Sequence, residues 1–394
     1  MFALYACTST VPYKPEDGKP AVEVTEPEQP VDELIGPEAL PEEVFEDEGP
    51  PVLPIGEPTP HIAVLLPLQS PVFGDAANAV RNGLLASARY NKQALPIRFY
   101  SDFDENTSVV AAYRQAIANG AAAVVGPLTR NGVAALTERK YIPVPTLALN
   151  LVEAESASRL YFFGMAIENE ARQIAQLARK QGLHQAIIVT VRNSLSQRLQ
   201  VAFEEEWSDP DHGILREIEF NNDHTVFGDI AEISDTMVFL AADASKARVI
   251  RPYLPAKLPV YSTSQIFSGN DKTLVNYDLN GIRFVDMPWL LQPDHPAVMI
   301  YDRANPPLPI DRERLYALGV DSFRLIQLML AGNPAAALPL DGVSGRLHLK
   351  GKVFQREAAP ARFVEGQAHL GDAPYASEVL MFPGQEPVQE PAQP

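Results

Sequence analysis

Cysteine is nearly missing from this chain: of 394 residues only Cys7 is one, at the extreme N-terminus. The body that follows therefore holds neither a disulfide framework nor a cysteine-built zinc site. Long apolar runs are missing too. Hydrophobic residues make up 46% of the sequence, yet no stretch reaches the about 18 apolar residues of a membrane-spanning helix. Positive charge is scarce, with 32 Lys and Arg against 50 Asp and Glu and a formal net charge of −18. That balance argues against nucleic acid or an anionic lipid surface as the principal partner.

The chemistry of common active sites is also absent. Histidines 61, 184, 212, 224, 295, 348 and 369 stand singly, without the paired spacing of a helix-borne metal site. There is no Gly-x-Ser-x-Gly elbow, no Gly-x-x-x-x-Gly-Lys phosphate loop and no His-Glu-x-x-His. Asp102-Phe103-Asp104-Glu105 gathers acids after a predicted strand. A solvated loop opening a helix accounts for them as well as a cation does, because carboxylates sit favourably near helix N-termini. No metal, no cofactor and no catalytic residue are expected.

What is present begins at the ends. Met1–Ala6 is shorter than the apolar region of a secretory signal, roughly 7–15 residues. Yet Leu4-Tyr5-Ala6-Cys7 has the order of a lipoprotein signal's end: aliphatic residue, spacer, small residue, then the cysteine that takes the lipid. Residues 1–7 are accordingly expected to be a residual signal, with Cys7 as the lipidation site and the true start upstream. Residues 8–60 read as an acidic, proline-rich linker, as in Glu42-Glu43-Val44-Phe45-Glu46-Asp47-Glu48. Such a stretch buries too little apolar area to offset its ordering entropy, and its like charges keep it extended. Residues 371–394 are expected to be a second disordered segment.

Between them, residues 61–370 alternate strands and helices. His61–Leu68 is a short apolar run that suits a buried strand, and Asp75–Tyr90 follows with apolar residues at helical spacing. Continuing this way gives βαβαβαββ up to Gly164, a parallel sheet with helices on both faces. A second wound sheet is predicted from Glu168 onward, and a long helix over Arg312–Ala331. The fold class is therefore α/β with two lobes, each a parallel sheet flanked by helices, and a cleft between them. Lobe one is assigned about 61–165 plus parts of 286–340, and lobe two about 166–285 plus parts of 341–370.

In open parallel sheets ligands bind beyond the carboxyl ends of the strands. Those ends carry Gln69, Ser70, Thr129, Asn150, Arg192, Asn193 and Ser264, the candidate cleft residues. Hydroxyls and amides at such places also cap the helices that follow, so both readings stand for Thr129, Asn150 and Arg192.

Several segments resemble a known family. IAVLLPLQSPVFGDAANAVRNGLLAS after His61, AAAVVGPLTRNGV (121–133), PVPTLALN (143–150), FFGMAIENEARQIAQLA (162–178) and GVSGRLHLKGKVFQREAAPARFVEGQ (342–367) occur in that order. Together they are similar to the penicillin-binding-protein activator lipoproteins, the LppC family, within the type I periplasmic-binding-protein-like fold. The resemblance implies a two-lobed body with three inter-lobe crossovers. It also implies a non-catalytic periplasmic lipoprotein, anchored to the outer membrane, that binds and stimulates a class A penicillin-binding protein in peptidoglycan synthesis. Longer members carry a helical-repeat domain where this chain has its acidic linker. Two alternatives share what the sequence shows. One is the solute-binding protein of an ABC transporter, holding an amino acid or similar small polar ligand in the cleft, because fold alone does not decide function. The other is a wall hydrolase with a site that carries no recognisable motif.

Overall fold

The computed structural model describes residues 52–91, 94–101, 108–152 and 157–371, all within one compact unit. Cys7, the linker up to residue 51, the acids at 102–105 and the C-terminal segment from 372 lie outside the described residues.

The first lobe opens with β1 (His61–Leu65), α1 (Gly74–Ala88), β2 (Ile97–Tyr100), α2 (Val109–Ala118), β3 (Ala121–Val125), α3 (Arg130–Thr137), β4 (Thr146–Ala148) and β5 (Leu160–Phe163). This is the expected βαβαβαββ order. β1 is buried along its whole length, as a strand covered on both faces must be. Alternate residues point to opposite faces: Ile62 and Val64 join one core and Ala63 and Leu65 the other. The chain then crosses to the second lobe through α4 (Ile167–Lys180), β6 (Gln185–Val191), α5 (Ser194–Trp207), β7 (Gly213–Phe220), β8 (Thr236–Ala241), α6 (Ala244–Ile250), β9 (Val260–Tyr261), the short α7 (Thr273–Asn276) and β10 (Arg283–Asp286). It continues through α8 (Pro288–Leu291) and α9 (Pro296–Met299) to the long α10 (Ile310–Leu330), then β11 (Leu340–Asp341), β12 (Arg346–Lys350) and β13 (Val353–Glu357). The last strands are β14 (Ala359–Val364) and β15 (Gln367–Leu370).

Two sheets result, ordered β11-β12-β13-β5-β4-β3-β1-β2 and β15-β14-β10-β9-β8-β6-β7. Each is parallel through its centre, and each gains antiparallel strands at one edge: β11 and β12 beside β13, β14 and β15 beside β10.

One expected boundary is refined and one moves. Parts of 341–370 are expected in lobe two, and the structure divides that segment between the sheets. β12 and β13 pair into the first sheet through β5, and only β14 and β15 belong to the second. Periodicity marks strands without naming their partners, so this division is invisible before the pairing is known. The linker also ends sooner than residue 60. Leu53 carbonyl accepts from Gln115, Ile55 N donates to Asn119 Oδ1 at 2.8 Å, and Thr59 N donates to the Asn119 carbonyl at 3.2 Å. Proline and acid content in this stretch concealed backbone groups that the end of α2 satisfies.

In the first lobe, α1 and α10 touch backbone to backbone. A Cβ at Gly83 would stand 1.9 Å from the Tyr316 carbonyl oxygen, and one at Gly319 would stand 2.0 Å from that of Val80. A helical glycine costs about 1 kcal/mol relative to alanine, and here close approach of two helices is what it permits.

Candidate functional site

A pocket of about 600 Å³ lies beyond the carboxyl ends of β3 and β4, against α10. Its walls are largely apolar, with Phe73, Leu128, Leu149, Met165, Leu315 and Leu318, and its polar members are Thr129, Arg130, Asn131 and Asn150. Met165 stands at the first crossover between lobes; every other wall residue comes from lobe one.

The sequence-predicted residues divide accordingly. Thr129 and Asn150 line the pocket, but both are engaged. Thr129 caps α3, its Oγ1 accepting from Gly132 N at 3.2 Å. Asn150 donates from Nδ2 to the Leu128 carbonyl at 3.0 Å and accepts from Leu151 N at 2.9 Å. Gln69 and Ser70 precede α1 outside the pocket wall. Ser70 Oγ accepts from Val72 N and Phe73 N in its own turn.

The three candidates from lobe two do not reach the pocket. Arg192 is 87% exposed along its side chain and pairs with Glu219 at 3.5 Å. Asn193 caps α5 through Ser196 N at 2.8 Å. Ser264 is buried among the crossovers, its N–H donating to Glu170. A position after a strand end locates a residue along the sheet, but not the direction its side chain takes.

One electrostatic link does reach from lobe to lobe near the pocket. Glu168, at the start of α4, is pushed up by burial. The hydrogen bond from Arg198 and the positive charges of Arg198 and Arg130 outweigh this and hold its carboxyl below the usual range. Arg130, exposed beside the pocket, is the pocket cation and is not among the candidate residues read from the sequence.

More conspicuous is a buried polar network at the three places where the chain changes lobe. Near the first, Glu170 of α4 accepts from Arg356 of β13 at 2.7 Å, both side chains 5% exposed. At the second, Arg314 of α10 pairs with Asp286 at the end of β10 at 2.7 Å, with side chains 8% and 1% exposed. Arg314 also donates to the carbonyls of Ser264 and Phe267. At the third, Gln173 of α4 exchanges two hydrogen bonds with the backbone of Ala358, between β13 and β14. Burial favours the neutral form of both members of the Arg314–Asp286 pair. Asp286 is pushed up in spite of Arg314, whereas Arg314 is held charged by Asp286, Glu170 and Asp311. Partners up to 186 residues apart in sequence leave no local signature, so sequence reading missed all of them.

Among the described residues no helix is long and apolar enough to cross a membrane, and no group of His, Cys, Asp and Glu is arranged to hold a metal ion.

The LppC lipoprotein family model matches residues 54–233 and 228–366, which is nearly the whole described body. The chain belongs to the LppC family. Its relatives include the penicillin-binding protein activator LpoA of Photobacterium profundum, 24% identical in an alignment of length 339 that covers 75% of this chain and 54% of that protein. LpoA of Vibrio cholerae is 24% identical in an alignment of length 345 that covers 77% of this chain and 57% of that protein. This LppC chain thus spans little more than half the length of those relatives. Among solved structures, full-length LpoA of Haemophilus influenzae superposes with a TM-score of 0.68 at 22% identity, covering 79% of this chain and 58% of that one. A Chromobacterium violaceum structure, provisionally described as a branched-chain amino acid ABC transporter, reaches a TM-score of 0.69 at 36% identity, over 77% of this chain and all of that one. The two-lobed periplasmic-binding-protein-like fold of this LppC member is thereby shown.

Proposed function

We propose that this chain is a non-catalytic envelope lipoprotein whose two-lobed body binds a class A penicillin-binding protein and stimulates it. The observation that carries the reading is the LppC match across both lobes, from residue 54 to 366. Relatives named as penicillin-binding protein activators support it, as does a solved LpoA C-domain described as a regulator of PBP1A, with the same fold. On this reading Cys7 carries lipid that anchors the protein to the outer membrane. The acidic segment before residue 52 then serves as tether, and the body faces the periplasm. The test measures cross-linked muropeptides made from lipid II by the synthase of the same cell, alone and with this protein. An increase that saturates with the activator is expected. No binding and no increase would refute the reading.

A second reading is favoured by the Chromobacterium violaceum structure and by the pocket. Apolar walls with Arg130 beside them suit a small ligand that joins an apolar group to a carboxylate. The solute-binding alternative predicts micromolar binding of branched-chain amino acids by calorimetry, lost in Arg130→Ala. Heatless titrations with every candidate would remove it.

A further inference from the structure

The α4 side of the second sheet is covered unevenly. Helices α4 and α5 pack over β6 and β8, with Ile174, Ala178, Phe203 and Trp207 against Ile188 and Phe239. Toward β10, β14 and β15 that cover stops. A groove of about 630 Å³ is left there, lined by Ile174 and Leu177 of α4 and by Pro360, Val364 and Leu370 of the edge strands. Val364 and Leu370 are 41% and 50% exposed. The edge strand β15 pairs only with β14 in its sheet, and Asn270 Oδ1 takes the Ala368 N–H at 2.8 Å, so the groove offers an extended chain its side-chain face.

The charges around this groove are unusual for so acidic a chain. In the register, Arg283 of β10 stands opposite Arg362 of β14, and Arg362 stands opposite His369 of β15. All three line the groove, together with Lys180 of α4. Like charges directly opposite on neighbouring strands are destabilising. Yet among the described residues no carboxylate pairs with Lys180, Arg283 or Arg362. The ion pairs close by go elsewhere: Arg179 takes Asp209 and Arg172 takes Glu205. Glu365, the acid of the β14–β15 turn, is not part of the groove lining. Arg283 is held over the Tyr261 ring at 5.5 Å. A row of cations has therefore been kept unneutralised beside an apolar trough in a protein of net charge −18.

We propose that this groove is where the partner synthase docks, through an extended segment that sets apolar side chains on the trough and carboxylates on Arg283 and Arg362. This rests on the reading given under Proposed function. The lobe-one pocket, walled by apolar groups with one arginine, is a separate place with a different chemistry.

The test uses the full chain and the periplasmic part of the synthase, with affinity read by interferometry and stimulation by cross-linked muropeptides. Arg283→Glu with Arg362→Glu should weaken binding by about tenfold to a hundredfold, the range for losing one charge-assisted contact or more. Stimulation should fall in parallel. Thermal unfolding should be little changed, because the double reversal exchanges one like-charge pair across β10 and β14 for another. Leu177→Gln, which alters only the trough, should weaken binding with less salt dependence. Arg192→Glu, an exposed arginine elsewhere, should bind as the wild type. Unchanged synthase affinity in the folded double variant would overturn the groove while leaving the proposed function in place. Failure of the wild type to bind any synthase would overturn both. A peptide of residues 372–394 that binds the wild type but not the double variant, with synthase affinity unmoved in both, would assign the groove to the chain's own acidic end.

Discussion

Arg314 and Asp286 make up a buried ion pair whose partners lie 28 residues apart in sequence, on different lobes. Removing one member leaves the other charged and desolvated, which costs about 3–5 kcal/mol, whereas replacing both with apolar groups is often close to neutral. Arg314→Met should therefore lower the unfolding free energy from urea denaturation by that amount, and Arg314→Met with Asp286→Leu should regain most of it. A double variant as unstable as the single one would mean that the carbonyls of Ser264 and Phe267, not Asp286, are what Arg314 holds. Tyr113 gives a second residue-scale test. Burial pushes its phenol up to about 12, against the opposing hydrogen bond with Thr146. In the unfolded chain it titrates near 10. Its share of stability is thus fully present below pH 10 and is lost as pH rises toward 12, roughly 2–3 kcal/mol in all. Tyr113→Phe should flatten the alkaline limb of stability against pH in that window, and an unchanged limb would contradict the assignment. Arg314, Asp286 and Tyr113 drew no attention in the sequence, for one reason: their chemistry depends on what folding brings to them. The capping reading left open for Thr129 was within reach of the sequence, because a capping side chain acts on backbone three residues away.

Elements were more legible than residues, since strand and helix periods are local properties. The order of the first eight elements followed from apolar runs alone, and α10 followed from Leu318, Phe323 and Ile326, all of which reach the core. Pairing did not follow. Nothing in 342–367 says that Phe354 lies beside Phe163 in one sheet while Ala361 lies beside Phe284 in the other. The contact between α1 and α10 was equally hidden, although its two glycines were in plain view. Gly319→Ala should force the helices apart and cost about 1–3 kcal/mol, the usual range for overpacking. A lower thermal midpoint with unchanged helix content is the expected result, and an unshifted midpoint would show that the two helices have room to move. The N-terminal boundary is testable in the same way. Limited proteolysis should leave a core that begins before Ile55, because Asn119 and Gln115 hold that segment to α2. In Asn119→Ala the first resistant residue should move toward His61, as read by mass spectrometry.

At the scale of the whole molecule, two lobes that share three crossovers suit either a clamshell that closes on a solute or a rigid body that presents a surface. The crossovers here carry Glu170–Arg356, Arg314–Asp286 and the Gln173–Ala358 exchange. Opening or closing the cleft by a large angle would disturb these buried bonds, and a partly satisfied buried network is costly. The arrangement favours a body whose shape changes little when it works. On the proposed function, activation would come from binding one conformation of the partner better than another, since a ligand shifts an equilibrium only by its differential affinity. Stimulation should then track complex formation and reach a plateau set by the synthase. Substitutions in the lobe-one pocket, such as Asn150→Ala, or at exposed Arg192, should leave that plateau in place. The scattering profile of this protein should also stay the same with and without amino acids. A solute-binding clamshell would give the opposite pair of results: a smaller radius of gyration with its ligand, and a plateau that rises or falls when that ligand is added. If the radius contracts with an amino acid and synthase activity follows that ligand, the cleft rather than the outer surface governs the partner, and the rigid-body account fails.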